Sequence, residues 1–453
     1  MFSPMSSFIF YPAISPIANG IGVSVELINL TITSYMVVSG VTPALLGNVA
    51  DKGGRRPVYI VALSTYIIAN IGLALQNSFP GLLILRMIQS AGSSGTISLG
   101  YGVMSDIATP AERGSYVGIL LMGPNVAPPL GPVLGGAITS RLGWKWIFWV
   151  LCILSGVCLM LLLFLLHETA RSIVGNGSTP PTRIVHKTFL QLMADTTEKR
   201  VERTDEGASN LSLRLNLPNP LLCLRLLFVK DVAIVLICNG ICYAAYCCIQ
   251  ASLSSLIIKI YNFNELQAGL IYLPFGFACL SSSFLSGRLL DYDYAKTAKA
   301  HGFVADRRHG EELGQFPLEK ARLRSVFVLL TITSGSLLCY GWVMQLKVHI
   351  SVPLILQVFI GFAISGVFTV LGTLLTDFNP QRSSTAAASA NIVRCALAAS
   401  SLAVLQLIID AIGAGWCFTI IGTITAICIP LTEIERRKGP NWRRDRASYT
   451  ARI

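Results

Sequence analysis

Long apolar runs alternate with short polar segments along the 453-residue chain. The runs predict helices at about Ile28–Ala50, Val58–Gln76, Leu82–Val103, Tyr116–Ile138 and Trp144–Leu166. Six more follow at Val232–Leu253, Ala268–Leu290, Val326–Met344, Val352–Leu375, Thr385–Ile409 and Trp416–Leu431. Most approach the ~20 residues that a helix needs to cross a bilayer. We number them spans 2 to 12. An earlier segment, Phe2–Ala18, is apolar but short and interrupted by Pro4, Pro12 and Pro16. It is expected to be the outer part of a first helix whose beginning is missing; a re-entrant segment is the competing reading. Residues 167–230 are too polar to span, and a second basic loop, Asp291–Arg324, precedes span 9. The predicted organisation is an all-α integral membrane protein of about twelve spans. It has a bundle at 1–166, a cytoplasmic linker at 167–230, a bundle at 231–432 and a basic tail at 433–453.

Composition narrows the class. The chain is 53% hydrophobic and 13% charged, about half the charge of ordinary soluble domains. That excludes a soluble enzyme, a disordered protein and a nucleic-acid binder. Transmembrane barrels read as short alternating segments, unlike these unbroken runs. The net charge of +12 is arranged by topology. Arg141, Lys145, Lys259 and Lys347 are expected outside and Arg86 and Arg394 within helices; the other Lys and Arg fall on one face, the positive-inside pattern. The basic tail is expected to lie on an anionic inner leaflet. Most of the twelve cysteines sit in apolar runs without metal-ligand spacing, as small packing residues.

The two halves repeat. Span 2 ends in Gly47-Asn48-Val49-Ala50-Asp51 and span 8 in Gly287-Arg288-Leu289-Leu290-Asp291. Arg86 precedes Asp106 by twenty residues, as Gln357 precedes Asp377, and each Asp leads into a loop with Pro (Pro110, Pro380) and Arg (Arg113, Arg382). A duplicated six-helix unit with a site between the copies is a transporter architecture.

The turn Gly47 to Pro57 joins glycines suited to unusual φ and close approach, including Gly54, to Asp51, Arg55 and Arg56. Asp51 can pair with either arginine, or sit at a helix N-terminus of the opposite half, where the helix dipole favours an anion. Such a contact would hold the inner gate shut in one state. Span 5 carries Gly123-Pro124, Pro128-Pro129, Gly131-Pro132 and Gly135-Gly136. Proline kinks a helix and small residues admit a neighbour, so this run is expected to bend or to pack where the halves meet.

Gly47 to Pro57 closely resembles the loop 2–3 signature of the major facilitator superfamily. Leu82 to Gly92, with Arg86 and Gln89, resembles its helix 4 signature, although Ser90 stands where Gly is usual. Gly118, Gly131, Pro132, Gly135 and Gly136 resemble the antiporter signature of drug exporters, with Ala127 replacing one Gly. Trp144 to Trp149, Glu168-Thr169-Ala170-Arg171, Val174 to Ser178 and Asn391 to Cys395 are similar to the fungal quinidine-resistance branch of 12-spanner drug:proton antiporters. The resemblance implies the major facilitator fold of two six-helix bundles and a monomer in the cell membrane. It also implies a proton gradient as driving force, with no other cofactor, and a role for Arg86 in proton coupling or substrate contact.

Arg86 and Arg394 lie inside apolar helices, where a central Arg costs on the order of 3 kcal/mol unless partnered or facing a wet cavity. On span 7, Asn239, Tyr243, Tyr246 and Gln250 share one helical face. A polar aromatic stripe can stack and hydrogen-bond flat molecules, or join helices. Tyr35, Gln89, Tyr272, Gln357 and Asn391 are weaker candidates. No carboxylate falls in mid-membrane, so proton coupling follows from the resemblance alone. The expectation is a non-enzymatic carrier exporting small amphipathic organic compounds, with protons and the lipid bilayer as further partners. A nutrient or polyamine importer, and a non-transporting receptor or scaffold, are the alternatives.

Overall fold

The computed structural model describes residues 2–175, 186–189, 191, 225–261, 270–300 and 316–450. Regular structure among the described residues is helical. Spans 2 to 6 are Val25–Gly53, Arg55–Leu75, Phe79–Ile107, Arg113–Leu142 and Lys145–Leu165. Spans 7 to 10 are Lys230–Tyr261, Tyr272–Ala300, Val326–Gln345 and Ser351–Phe378. Spans 11 and 12 form one helical run, Ser383–Thr450, broken at Gly413 (φ +85°, ψ 163°). That left-handed region suits glycine, and there the chain turns back. Ten of these helices are long and apolar enough to cross a membrane. Span 4 falls short on hydropathy, although it has 29 residues. Its buried face is Gln89, Ser90, Gly92, Ser93, Ser94, Gly95 and Ser98, chosen for contact with helices rather than lipid.

The first segment is helical in three pieces, Phe2–Phe8, Tyr11–Ala13 and Ile14–Ile21. Each proline falls at or near the start of a piece, where its missing N–H matters least. Two expectations change. First, part of the expected 291–324 loop is helical: span 8 continues to Ala300, and Leu318–Arg322 forms a short helix. Second, the tail continues span 12 as helix to Thr450. Glu433 pairs with Arg436 (3.3 Å) and Arg437 (2.6 Å) along that helix. Arg443 docks on Glu319 (3.2 Å) and the Phe316 carbonyl (2.6 Å). These pairings on its own helix and with its neighbour support the extension. Of the Lys187–Glu206 stretch, only 187–189 and 191 lie within the described residues.

Span 4 packs between spans 2 and 3, and span 10 between spans 8 and 9. The halves meet in two matched pairs, span 5 on span 8 and span 2 on span 11. Glycines set both distances. A Cβ on Gly47 would lie 3.0 Å from the Ser384 carbonyl, and one on Gly118 would overlap the Ser283 carbonyl. Span 5 is one helix through Pro124, Pro128, Pro129 and Pro132. Its Gly/Pro run divides its work. Gly114, Gly118 and Pro129 face span 8, whereas Gly131 and Gly135 face Phe8 and Ile9 of the first segment. Gly136 is nearest Pro12 (3.9 Å) and Pro132 lines the central cavity. Of the run expected to bend or to pack where the halves meet, Gly131 and Gly135 instead admit a neighbour within their own half.

Overpacking at a backbone-to-backbone contact costs about 1–3 kcal/mol or more. Gly118→Val is expected to lower the melting temperature of the detergent-solubilised protein by several degrees, while Gly156→Ala, with open space around it, leaves it within a degree or two. Equal melting of both variants would show that the span 5–span 8 approach is not tight.

Candidate functional site

A cavity of about 1270 Å³ lies between the halves. Tyr35, Asn125, Pro128, Tyr243, Tyr246 and Gln250 line it, together with Tyr272, Phe368, Asn391 and Arg394. The lining reaches Gly143 and Trp144, in the turn between spans 5 and 6. That turn is at the end opposite Asp51 and Asp106, the basic end. Tyr243 and Tyr246 lie 5.9 Å apart at 14°, and both contact Phe368. The Arg394 guanidinium sits 4.1 Å from the Tyr243 ring centre. Gln250 is buried, with neither amide atom hydrogen-bonded. Asn391 donates to the Ser39 carbonyl (2.7 Å), tying span 11 to span 2. Among the described residues, no carboxylate lines this cavity.

The structure brings Tyr35, Tyr243, Tyr246, Gln250, Asn391 and Arg394 together on the cavity wall. Four expected residues stand elsewhere, among them Gln357, which is buried with neither side-chain amide atom hydrogen-bonded. Asn239 faces a small adjoining void of about 20 Å³, shared with Tyr101, Thr376 and Arg394. Arg86 is fully buried behind the wall. It bonds Gln89 (2.6 Å) and the Ser6 carbonyl (3.3 Å), and lies 4.2 and 4.6 Å from the Phe10 and Tyr35 ring centres. Gln89 passes the chain on to Asn70 (2.7 Å). The first segment, bent around its prolines, covers this arginine. Arg86 therefore supports the Tyr35 wall instead of facing the cavity, and its cation is offset by ring faces and amide and carbonyl oxygens.

At the basic end the halves are locked together. Asp51 accepts the Thr385 backbone N–H (3.1 Å) and the Thr385 hydroxyl, at the N-terminus of span 11. Asp291, its counterpart in the repeat, accepts the Gly114 and Ser115 N–H groups (2.9 and 3.0 Å) at the N-terminus of span 5. Each carboxylate meets the positive end of a helix from the other half. Buried Arg55 joins Asp51 to Asp106 (2.9 Å) and reaches across to the Ser384 hydroxyl (2.7 Å). Arg322, also buried, holds Asp377 (2.8 Å), lies 4.0 Å from Asp291, and donates across to the Pro110 carbonyl. Arg113 crosses to Asp377. Ser105 donates to the Pro380 carbonyl (3.0 Å).

Glu168 completes the basic end. It accepts the N–H groups of Arg55 (2.8 Å) and Arg56 (3.3 Å) at the start of span 3, and meets His186 (3.0 Å). Arg56 also donates to the Leu166 (3.0 Å) and Leu163 (3.1 Å) carbonyls. Gly54 has φ +102°, and a Cβ there would lie 2.5 Å from Glu168 Oε2. Only glycine fits that turn. Arg322 was not singled out by the sequence, because it sits among the other basic residues of the second loop. The repeat held the signal: if Arg55 serves Asp51 and Asp106, then Asp291 and Asp377 call for a cation of their own.

Two six-helix halves around a central cavity, sealed at one end, define a membrane transporter. Residues 1–305 match the Major Facilitator Superfamily, and the chain belongs to that family. It is 38% identical over 449 residues to the MFS-type transporter phiD of Fungal sp. (strain ATCC 74256), covering 98% of this chain and 68% of that protein. It is 38% identical over 451 residues to citrate exporter 1 of Aspergillus niger, covering 98% and 85%. Among solved structures it resembles the proton:xylose symporter XylE (TM-score 0.64, 15% identity, 95% of this chain and 92% of that one). It also resembles the human organic anion transporter MFSD10 (TM-score 0.60, 17% identity, 95% and 96%). These two establish the fold only.

Each helix N-terminus contact is a charge-assisted hydrogen bond worth about 1.5–3 kcal/mol. Replacing both Asp51 and Asp291 by Asn is therefore expected to raise the population open at the basic end by about tenfold or more. A reporter cysteine at Ser98, buried beneath the lock, should then react correspondingly faster with a water-soluble maleimide. An unchanged rate would mean that these two contacts do not hold the halves.

Proposed function

We propose that this chain is an exporter of the drug:proton antiporter kind, moving amphipathic organic compounds by alternating access in the fungal plasma membrane. The observation that carries it is the pairing of an aromatic cavity with a lock at the basic end, the end expected to face the cytoplasm. The two bundles, 1–166 and 231–432, move as bodies about the cavity, joined through the linker 167–230. With the lock closed, the cavity communicates with the outer face. Opening requires the cross-half contacts of Asp51, Asp291, Arg55, Arg113, Arg322 and Ser105 to part. Gly47 and Gly54 give the lock its close packing, and Arg55 and Arg56 anchor the turn. The exporter named among the relatives supports the outward direction, and the antiporter-like run on span 5 supports exchange with protons.

The cavity wall holds no acid among the described residues, so the proton is assigned to the carboxylates of the lock. Asp106 is suited to this role, since it holds Arg55 (2.9 Å), which reaches across to the other half. Its protonation would release Arg55 and weaken the lock, so a proton that arrives through the cavity from an acidic outer face opens the basic end, and its loss to a neutral basic side lets that end close again.

Purified protein in proteoliposomes tests the reading. With an acidic lumen and the basic end facing outward, labelled amphipathic compounds should accumulate several-fold inside, and a protonophore should abolish the gain. Accumulation unaffected by the gradient would reject proton exchange; none in any gradient would reject transport of this class. Tyr246→Ala should reorder preferences among aromatic compounds by about tenfold, the scale of one lost ring contact. A uniform loss for every compound would assign Tyr246 to packing.

A further inference from the structure

One cation in the cavity stands without an anion. Arg394 is the single charged side chain among the described residues that line it. The acids of the lock are already taken, Asp51 and Asp106 by Arg55 and Asp377 by Arg113 and Arg322. No described carboxylate lies within ion-pair distance of Arg394, and its buried Nε has no hydrogen-bond partner. Tyr243 and Phe368 offer ring faces at 4.1 and 5.4 Å. Rings attract a guanidinium but accept none of its in-plane N–H bonds. A cation inside an apolar span persists where it has a partner or a function, and here no described residue supplies an anionic partner.

We propose that the cavity binds amphipathic organic monoanions, with the acid group on the open N–H edge of Arg394 and an apolar ring body against Tyr243, Tyr246 and Phe368. This rests on the carrier reading above and names its substrate class. A guanidinium held by stacking presents two parallel N–H groups, which match a carboxylate. A cationic amphiphile would instead bring a like charge into a chamber where no described acid offsets it. A trianion would bring two charges more than the wall neutralises. Arg394 therefore selects for a single acid group, and the aromatic wall selects for the hydrophobic remainder.

Three probes with one ring body test this: 2-naphthoate, 2-naphthamide and (2-naphthylmethyl)ammonium, carrying −1, 0 and +1. Binding is measured on the full chain in lipid nanodiscs by displacement of radiolabelled 2-naphthoate. The acid is expected to bind at least about tenfold more tightly than the amide, and the ammonium more weakly than the amide. Citrate is expected to displace the label only at far higher concentration. Arg394→Gln should bring the acid-to-amide ratio to about one with amide binding retained, and Arg394→Lys should keep part of the preference. The wild-type ratio decides the matter even where a variant does not fold. A wild-type ratio near one, tighter binding of the ammonium or of citrate, no measurable binding of 2-naphthoate, or a ratio unmoved by Arg394→Gln would overturn the proposal. Acid-selective binding without transport in proteoliposomes would overturn the carrier reading and leave the anion site standing.

Discussion

The structure depends on two carboxylates placed at the N-termini of helices that belong to the other half. Asp51 meets span 11 and Asp291 meets span 5. A buried carboxylate is costly unless it is paired and hydrogen-bonded. Here the pairing is divided. Arg55 and Arg322 neutralise the acids from within the same half, while the helix N-termini hold them across the divide. Parting the halves would therefore remove hydrogen bonds and the Arg113–Asp377 ion pair without leaving the acids bare. In the proposed cycle, that division lets the lock close one end and still open.

The same two helix pairs that carry the lock also form the cavity wall. Span 11 supplies Thr385 to the lock and Asn391 and Arg394 to the cavity. Span 5 supplies Gly114 to the lock and Asn125, Pro128 and Pro132 to the wall. Asn125 bonds Ser283 (3.0 Å) and Ser365 (2.7 Å) of the opposite half. Spans 5 and 11 thus run continuously from the cavity to the lock, and Gly118 lies against span 8 along the way.

Much of this was legible in the chain. Apolar runs located the spans to within a few residues at most ends. The Gly-x-aliphatic-x-Asp repeat located both acids of the lock, and the helix dipole indicated what Asp51 would meet. The span 7 stripe located Tyr243, Tyr246 and Gln250. Other features were not legible, for identifiable reasons. An arginine inside an apolar run signals a partner but not a direction, so Arg86, turned toward the first segment, was grouped with Arg394, which faces the cavity. Gly131 and Gly135 announce a close neighbour without naming it. Prolines at Pro12 and Pro16 read as interruptions because a sequence does not show that they begin new helical pieces. Arg322 looked like one more loop cation, since its acids lie 31 and 55 residues away.

The most direct test of the rocking account is a pair of nitroxide distances measured on one preparation. Labels at Ile107 and Tyr292, both exposed at the basic end, report the lock; labels at Leu142 and Leu346, exposed at the opposite end, report the mouth. If the halves rock as bodies about the cavity, each pair has two distance populations. The short basic-end population then falls as the short opposite-end population rises when substrate or pH is varied. Both ends lengthening together, or one moving while the other stays fixed, would contradict the account.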